Sequence, residues 1–176
     1  MGVFAKDTFH YFGEPGIKLA RLVGDFGYRY VFYLRMCQAG GLRKLLFTLP
    51  RKHLSRKCGL EISPATQIGE GFYIGHPYGI TINADAKLGR NVNIHKGCTI
   101  GQENRGKRKG VPTIGDRVYL GINSMVAGNI TIGDDVFIAS NAFVNQDIPD
   151  HSIVVGNPCK VIERQGATED YVVNLV

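Results

Sequence analysis

The aliphatic positions of this chain fall on a six-residue beat: Ile62, Ile68, Ile74 and Ile80, then Leu88, Ile94 and Ile100, then Ile114, Leu120, Val126, Ile132, Ile138 and Val144. Two steps depart from it, eight residues from Ile80 to Leu88 and fourteen from Ile100 to Ile114. A beat of six is neither the period of about 3.6 of a helix nor the alternation of a half-buried strand. It is the period of hexapeptide β-helix repeats, whose short strands wind into stacked coils. Three hexapeptides make one triangular coil. The aliphatic side chain points into the prism, and a smaller residue four places on (Thr66, Val92, Cys98, Val118, Ser124, Val136, Ala142) fills the corner beside it. A sandwich of unrelated strands would instead turn every 8–12 residues or so. The pattern predicts an all-β solenoid over residues 61–162, a little over four coils tall, with loop insertions near 81–87 and 102–113.

Ahead of the beat the period changes. Gly16, Gly24, Gly27, the Gly40-Gly41 pair and Pro50 punctuate stretches that read as helices near 17–23, 26–39 and 42–57. The chain therefore divides into a basic, aromatic helical region (1–60), the solenoid (61–162) and a tail (163–176). Its 176 residues and 44% hydrophobic content suit one compact domain with an appendage.

Charge separates the same regions. Residues 1–60 carry eleven Lys/Arg against three Asp/Glu, whereas 61–176 are slightly acidic. Arg29 and Arg35 interrupt the apolar run of the helical region, so it is not a bilayer span. Phe26, Tyr28, Tyr30, Phe32 and Tyr33, followed by basic residues, permit peripheral membrane contact through residues 17–57. The plainer role is a helical cap on the first coil or on a neighbouring subunit. No nucleic-acid motif accompanies the basic residues, and nucleic acid is not expected as a partner. Four cysteines without C-x-x-C spacing, and no signal-peptide core, suggest reduced thiols in the cytoplasm, with the inner membrane face as the surface any peripheral contact would use.

Chemistry is expected where the beat breaks. With Ile80 and Ile100 opening the same edge on successive coils, both insertions leave the prism on one side. His76 lies on the edge just before, at an outward position, and is the one group in I-G-H-P-Y-G that can act as a base near pH 7. Glu61 is fifteen residues earlier, about one strand spacing below and around the corner. That places its carboxylate within reach of the second imidazole nitrogen.

The stretch from Glu61 to Ile162, with both insertions and the ending V-V-G-N-P-C-K-V-I, resembles the serine O-acetyltransferase-like branch of the hexapeptide-repeat acyltransferases. The resemblance implies a left-handed parallel β-helix, a homotrimer, and acetyl-CoA held in the groove between neighbouring prisms. In that family a histidine in D-H-x-x-G is the general base, oriented by an acidic residue fifteen positions upstream. The matching positions are His76, in G-H-P-Y-G, and Glu61. His76 would take the proton of an acceptor hydroxyl as its oxygen attacks the thioester, while Glu61 fixes the tautomer.

The departures from the pattern concern the acceptor. Family members that acetylate serine carry Asp before the histidine and Arg-His before the proline that ends the long insertion; here these positions are Gly75, Gly110 and Val111. Without them the two charges of an amino acid would be left uncompensated. A neutral polyhydroxylated acceptor fits better, with Tyr78, Asn83 and His95 available to it. The sequence is also similar to serine-acetyltransferase-like proteins of bacterial capsule and exopolysaccharide synthesis, which share the basic aromatic N-terminal segment and I-G-H-P-x-G. The expected activity is O-acetylation of a sugar or polysaccharide precursor. Serine O-acetylation in cysteine biosynthesis is the alternative within enzymes, and a non-catalytic β-helix scaffold the alternative outside them.

For the donor, the resemblance places Ile122 and Ser140 along the pantetheine channel, with Gly121 keeping the groove narrow and Lys160 near the 3′-phosphate. Arg105 and Lys107, in the long insertion with Arg108 and Lys109, are candidates for the phosphates of coenzyme A. Stacked histidines at 76 and 95 invite comparison with the zinc sites of β-helical carbonic anhydrases. Those need three histidines including a close pair, which His10, His53 and His151 do not supply, so no metal is expected. His151, in its I-P-D-H-S-I turn, reads as structural.

Overall fold

A computed structural model describes residues 2–14 and 16–176. The first coil holds β1 (Glu61–Ile62), β2 (Gln67–Ile68) and β3 (Tyr73–Gly75), and the second β4 (Thr81–Ile82), β5 (Lys87–Leu88) and β6 (Asn93–His95). The third holds β7 (Thr99–Gly101), β8 (Thr113–Ile114) and β9 (Val118–Leu120), and the fourth β10 (Met125–Ala127), β11 (Thr131–Ile132) and β12 (Val136–Ile138). β13 (Phe143–Val144) and β14 (Ser152–Val155) begin a fifth, and β15 (Lys160–Glu163) folds back antiparallel onto β14. Apart from that last pairing, three parallel sheets form the walls: β1-β4-β7-β10-β13, β2-β5-β8-β11, and β3-β6-β9-β12-β14.

Every beat residue is buried except Ile68, which is half-buried, and the corner residues Thr66, Val92, Cys98, Val118, Ser124, Val136 and Ala142 are buried with them. Each aliphatic side chain withdrawn from water contributes about 1.5–3 kcal/mol, so the prism is held by one small solution repeated.

The register corrects the expected position of the first insertion. Ile62, Ile82, Ile100, Val126 and Val144 form one stack, so Ile82 rather than Ile80 opens the edge. Ile80 fills a corner instead: its carbonyl accepts from Glu61 as that of Cys98 accepts from Thr81 one coil on. Gly75 pairs with His95, and the Tyr78 carbonyl accepts from Gly97. The two extra residues are therefore His76 and Pro77, not part of 81–87. The second insertion leaves between β7 and β8 as expected, closed by reciprocal 3.0 Å backbone bonds between Glu103 and Gly110.

Four helices cap the first coil: α1 (Val3–Phe12), α2 (Leu19–Gly24), α3 (Phe26–Gln38) and α4 (Gly41–Cys58). The sequence pattern leaves α1 unpredicted. Asp25 caps α3 by accepting from the Tyr28 N–H at 2.9 Å. Tyr28, Tyr30, Val31 and Leu34 are completely buried, so two of the five residues of the aromatic cluster are core, and Phe26, Phe32 and Tyr33 are half-buried. Arg35 grips Asp7 through two bonds of 2.8 and 3.1 Å and donates to the Ile68 carbonyl at 2.8 Å, while Asp7 also accepts from Phe72 N–H at 3.0 Å. That buried network joins α1, α3 and the first coil.

The tail runs back along the third sheet. Thr168 and Ala167 donate to Asp135, the Tyr171 ring packs on Tyr119 and Phe137, and the Tyr171 carbonyl accepts from Asn93 at 3.0 Å. Asn91 exchanges two 3.0 Å bonds with Val176, and Asn174 bonds His10 of α1.

Candidate active site at the His76 corner

β3 ends at Gly75, and the chain then leaves the coil path for two residues. His76 adopts a left-handed backbone conformation (φ 53°), and its carbonyl accepts from Tyr78 N–H at 2.7 Å, closing a tight turn over Pro77. The imidazole is exposed, as is Tyr78 beside it. Cap and coil form a recess here, lined on the cap side by Arg21, Asp25 and Phe26 and on the coil side by Tyr73, His76 and Tyr78.

His95 stands one coil on, its ring centre 6.3 Å from that of His76. It registers with Gly75 rather than with His76, which differs from the stacking of two histidines expected from the sequence. A Cβ on Gly75 would overlap His95 Nδ1, so position 75 tolerates no side chain while this ring stays in place. Burial, and secondarily the nearby His76, push the His95 pKa down to about 4. His95 is therefore neutral at pH 7, and among the described residues its buried Nε2 has no protein partner.

The other expected residues are dispersed. Glu61 is exposed on β1 beside Thr81, and no hydrogen bond joins it to His76. The extra residues begin at His76 itself, so the fifteen-residue spacing between the two is intact and it is the left-handed turn at His76 that separates the coil path from the imidazole. Asn83 sits beyond β4, where its Oδ1 accepts from Asp85 N–H at 2.9 Å; its side chain makes a turn rather than facing the recess. Arg105 and Lys107 are exposed in the long loop, which is tied down by Arg108, whose side chain pairs with Glu103 at 3.3 Å and whose carbonyl accepts from Asn129 at 2.8 Å. Ile122 accepts from Asn141 N–H at 2.9 Å, next to the exposed Ser140. Gly121 is buried, and a Cβ there would press on the backbone of 138–140, so its smallness serves coil stacking first. Lys160 is exposed at the start of β15. None of these lines the His76 recess.

Arg21 and Asp25 were not singled out from the sequence. They lie about fifty residues before His76, and only the docking of the cap brings them there. His151, by contrast, holds Asp135 at 2.8 Å as a structural turn residue would.

Residues 112–146 match the bacterial transferase hexapeptide family (six repeats). A serine acetyltransferase from Helicobacter pylori is 41% identical over 106 residues, 60% of this chain and 62% of that protein. Serine acetyltransferase 2 from Arabidopsis thaliana is 38% identical over 120 residues, 68% of this chain and 37% of its own length. The crystal structure of Neisseria gonorrhoeae serine acetyltransferase in complex with serine superimposes with a TM-score of 0.71 at 27% identity, covering 90% of this chain and 66% of that one. The chain thus spans less than two thirds of the curated relatives it matches. These relatives carry serine in their names; none of the three names a sugar, a capsule or an exopolysaccharide.

Proposed function

We propose that this chain is an acetyl-CoA-dependent O-acetyltransferase with His76 as general base. The observation that carries the reading is the His-Pro insertion, which presents an exposed imidazole beside a recess on a solenoid whose residues 112–146 match the transferase hexapeptide family. An unprotonated His76 nitrogen takes the proton of an acceptor hydroxyl as the hydroxyl oxygen attacks the thioester carbon. The tetrahedral intermediate collapses with cleavage of the C–S bond. The imidazolium then returns the proton to the departing thiolate, giving ester and free coenzyme A. Neutral His95 sets no competing cation beside this imidazolium.

Within one chain Gly121, Ile122 and Ser140 lie on the same corner of the prism as His76, two and three coils on, which suits a donor laid along that corner toward the imidazole. A homotrimer, in which a neighbouring prism closes the groove, is the assembly expected for such a site. Glu61 is a candidate positioning residue.

The relatives' names make L-serine the first acceptor to test, and they favour it over the sugar hydroxyl expected from the sequence. A neutral sugar hydroxyl remains a second reading on one specific observation: the contact between Gly75 and His95 leaves no room for a carboxylate at position 75, and Gly110 and Val111 add no charge. Thiol release from acetyl-CoA, with L-serine in one arm and nucleotide sugars and oligosaccharides in the other, separates the two. Turnover abolished by His76→Ala is expected in one arm. Silence in both, with no coenzyme A binding, would leave the scaffold alternative.

A further inference from the structure

Helix α4 carries an outward line that none of the described residues covers. Leu42, Leu45, Leu46 and Leu49 are 69, 73, 60 and 75% exposed. Their spacing of three and four residues aligns them on one face. The opposite face is engaged: Phe47 packs on Phe32 and Tyr33, Arg51 donates to the Ile62 carbonyl at 3.1 Å, and Leu54 and Cys58 are buried. Continued toward the C-terminal end, the outward line changes character, from the leucines to exposed Lys52, His53 and Arg56. Over its 18 residues α4 holds six Lys/Arg and no Asp or Glu.

We infer that this face docks on an anionic membrane surface, with the leucines entering the headgroup boundary and the basic half of the helix lying against lipid phosphates. No described helix is long and apolar enough to cross a bilayer, so the contact is peripheral. Charge selects lipid over pairing of this face with its own copy. Two such helices packed in the same direction would oppose like charges, and packed in opposite directions would cover leucines with cations. An anionic lipid surface satisfies both halves at once. The face lies within residues 17–57, the segment read from the sequence, but its apolar part is the leucine line of α4 rather than the aromatic cluster, of which Tyr28 and Tyr30 are buried.

The test is co-sedimentation of the whole protein with vesicles of phosphatidylcholine alone and of phosphatidylcholine with phosphatidylglycerol, at low and high ionic strength. Binding to the anionic vesicles, weakened by salt, is expected. The Leu45→Ser/Leu46→Ser/Leu49→Ser variant should lose at least about 100-fold in partitioning. Lys52→Gln/Arg56→Gln should lose about 25-fold, and only at low salt. Both variants alter exposed side chains, and unchanged thermal melts would confirm that they fold. Absence of binding to anionic vesicles, or equal binding to neutral ones, overturns the inference. So does a lipid-free self-association that the leucine variant abolishes, which would assign the face to a second copy.

Discussion

The solenoid and its helical cap are held together by opposite means. The solenoid repeats one small apolar contact at every sixth residue, with the largest side chains of its core no bigger than isoleucine or leucine along the beat. The cap has no repeat. It depends on one buried ion pair, Arg35 with Asp7, set among interlocked aromatic rings including Phe4, Tyr11, Phe12 and Tyr28. A periodic core spreads the effect of one change over neighbouring coils, whereas a unique network concentrates it. The candidate chemistry lies where the two meet, at the corner at which the coil breaks its own spacing.

The sharpest way to test that division is to remove the irregular residue. His76→Ala should lower turnover by about 100- to 10,000-fold, measured as thiol release, and leave the melting temperature unchanged because the imidazole is exposed. The next largest effect should come from the cap. Asp7→Ala strands a buried guanidinium and should cost about 3–5 kcal/mol in urea unfolding, while Asp7→Ala combined with Arg35→Met should recover part of it. If the single variant cost no more than a surface change, the contrast between cap and solenoid would collapse.

Acid should loosen the tail. Burial alone would raise the Asp135 pKa, but the hydrogen bonds from Thr168, His151 and the Thr168 and Ala167 N–H groups outweigh it and hold the carboxyl down to about 2. A carboxyl depressed in the folded state stabilises fully above its unfolded value near 4 and loses that contribution as the pH falls toward 2. About 2 kcal/mol should disappear across this window, and Asp135→Asn should flatten that part of the pH–stability profile. The smallest effect belongs to the regular corners. Gly97 has φ 73° and lies against Asn123 Oδ1, so Gly97→Ala should cost about 1–2 kcal/mol in urea unfolding, with activity retained.

The prism was legible because its residues carry the period themselves. Position after position repeats the same demand, so even the two-residue surplus shows up as a count. Its location did not. Ile80 and Ile82 are both buried, and only the hydrogen bonds of Tyr78 and Ile80 show which of them opens the edge. The cap was partly legible, through glycines that bound α2, α3 and α4; α1 is bounded likewise by Gly2 and Gly13 but is short, and it is fixed by Asp7 meeting Arg35 twenty-eight residues away. At the site, His76 stood out by its chemistry. The repeat spacing also brought His95 close to it, whereas Arg21 and Asp25 are set by the docking of the cap, which no local spacing encodes. Glu61 shows the converse: its fifteen-residue spacing to His76 stands, because the extra residues begin at His76, and yet no hydrogen bond joins the two side chains within one chain.

The returning tail changes what kind of object this stack is. A solenoid whose coils touch only their neighbours behaves as a one-dimensional chain and can fray from either end. Here residues 167–176 clasp the fourth coil at Asp135, pass the third at Tyr119 and the second at Asn93 and Asn91, and reach α1 at His10. Opening one end therefore disturbs contacts with the other. The row of coils becomes a closed circuit, and hydrogen exchange across it should report one cooperative unit rather than a gradient of protection.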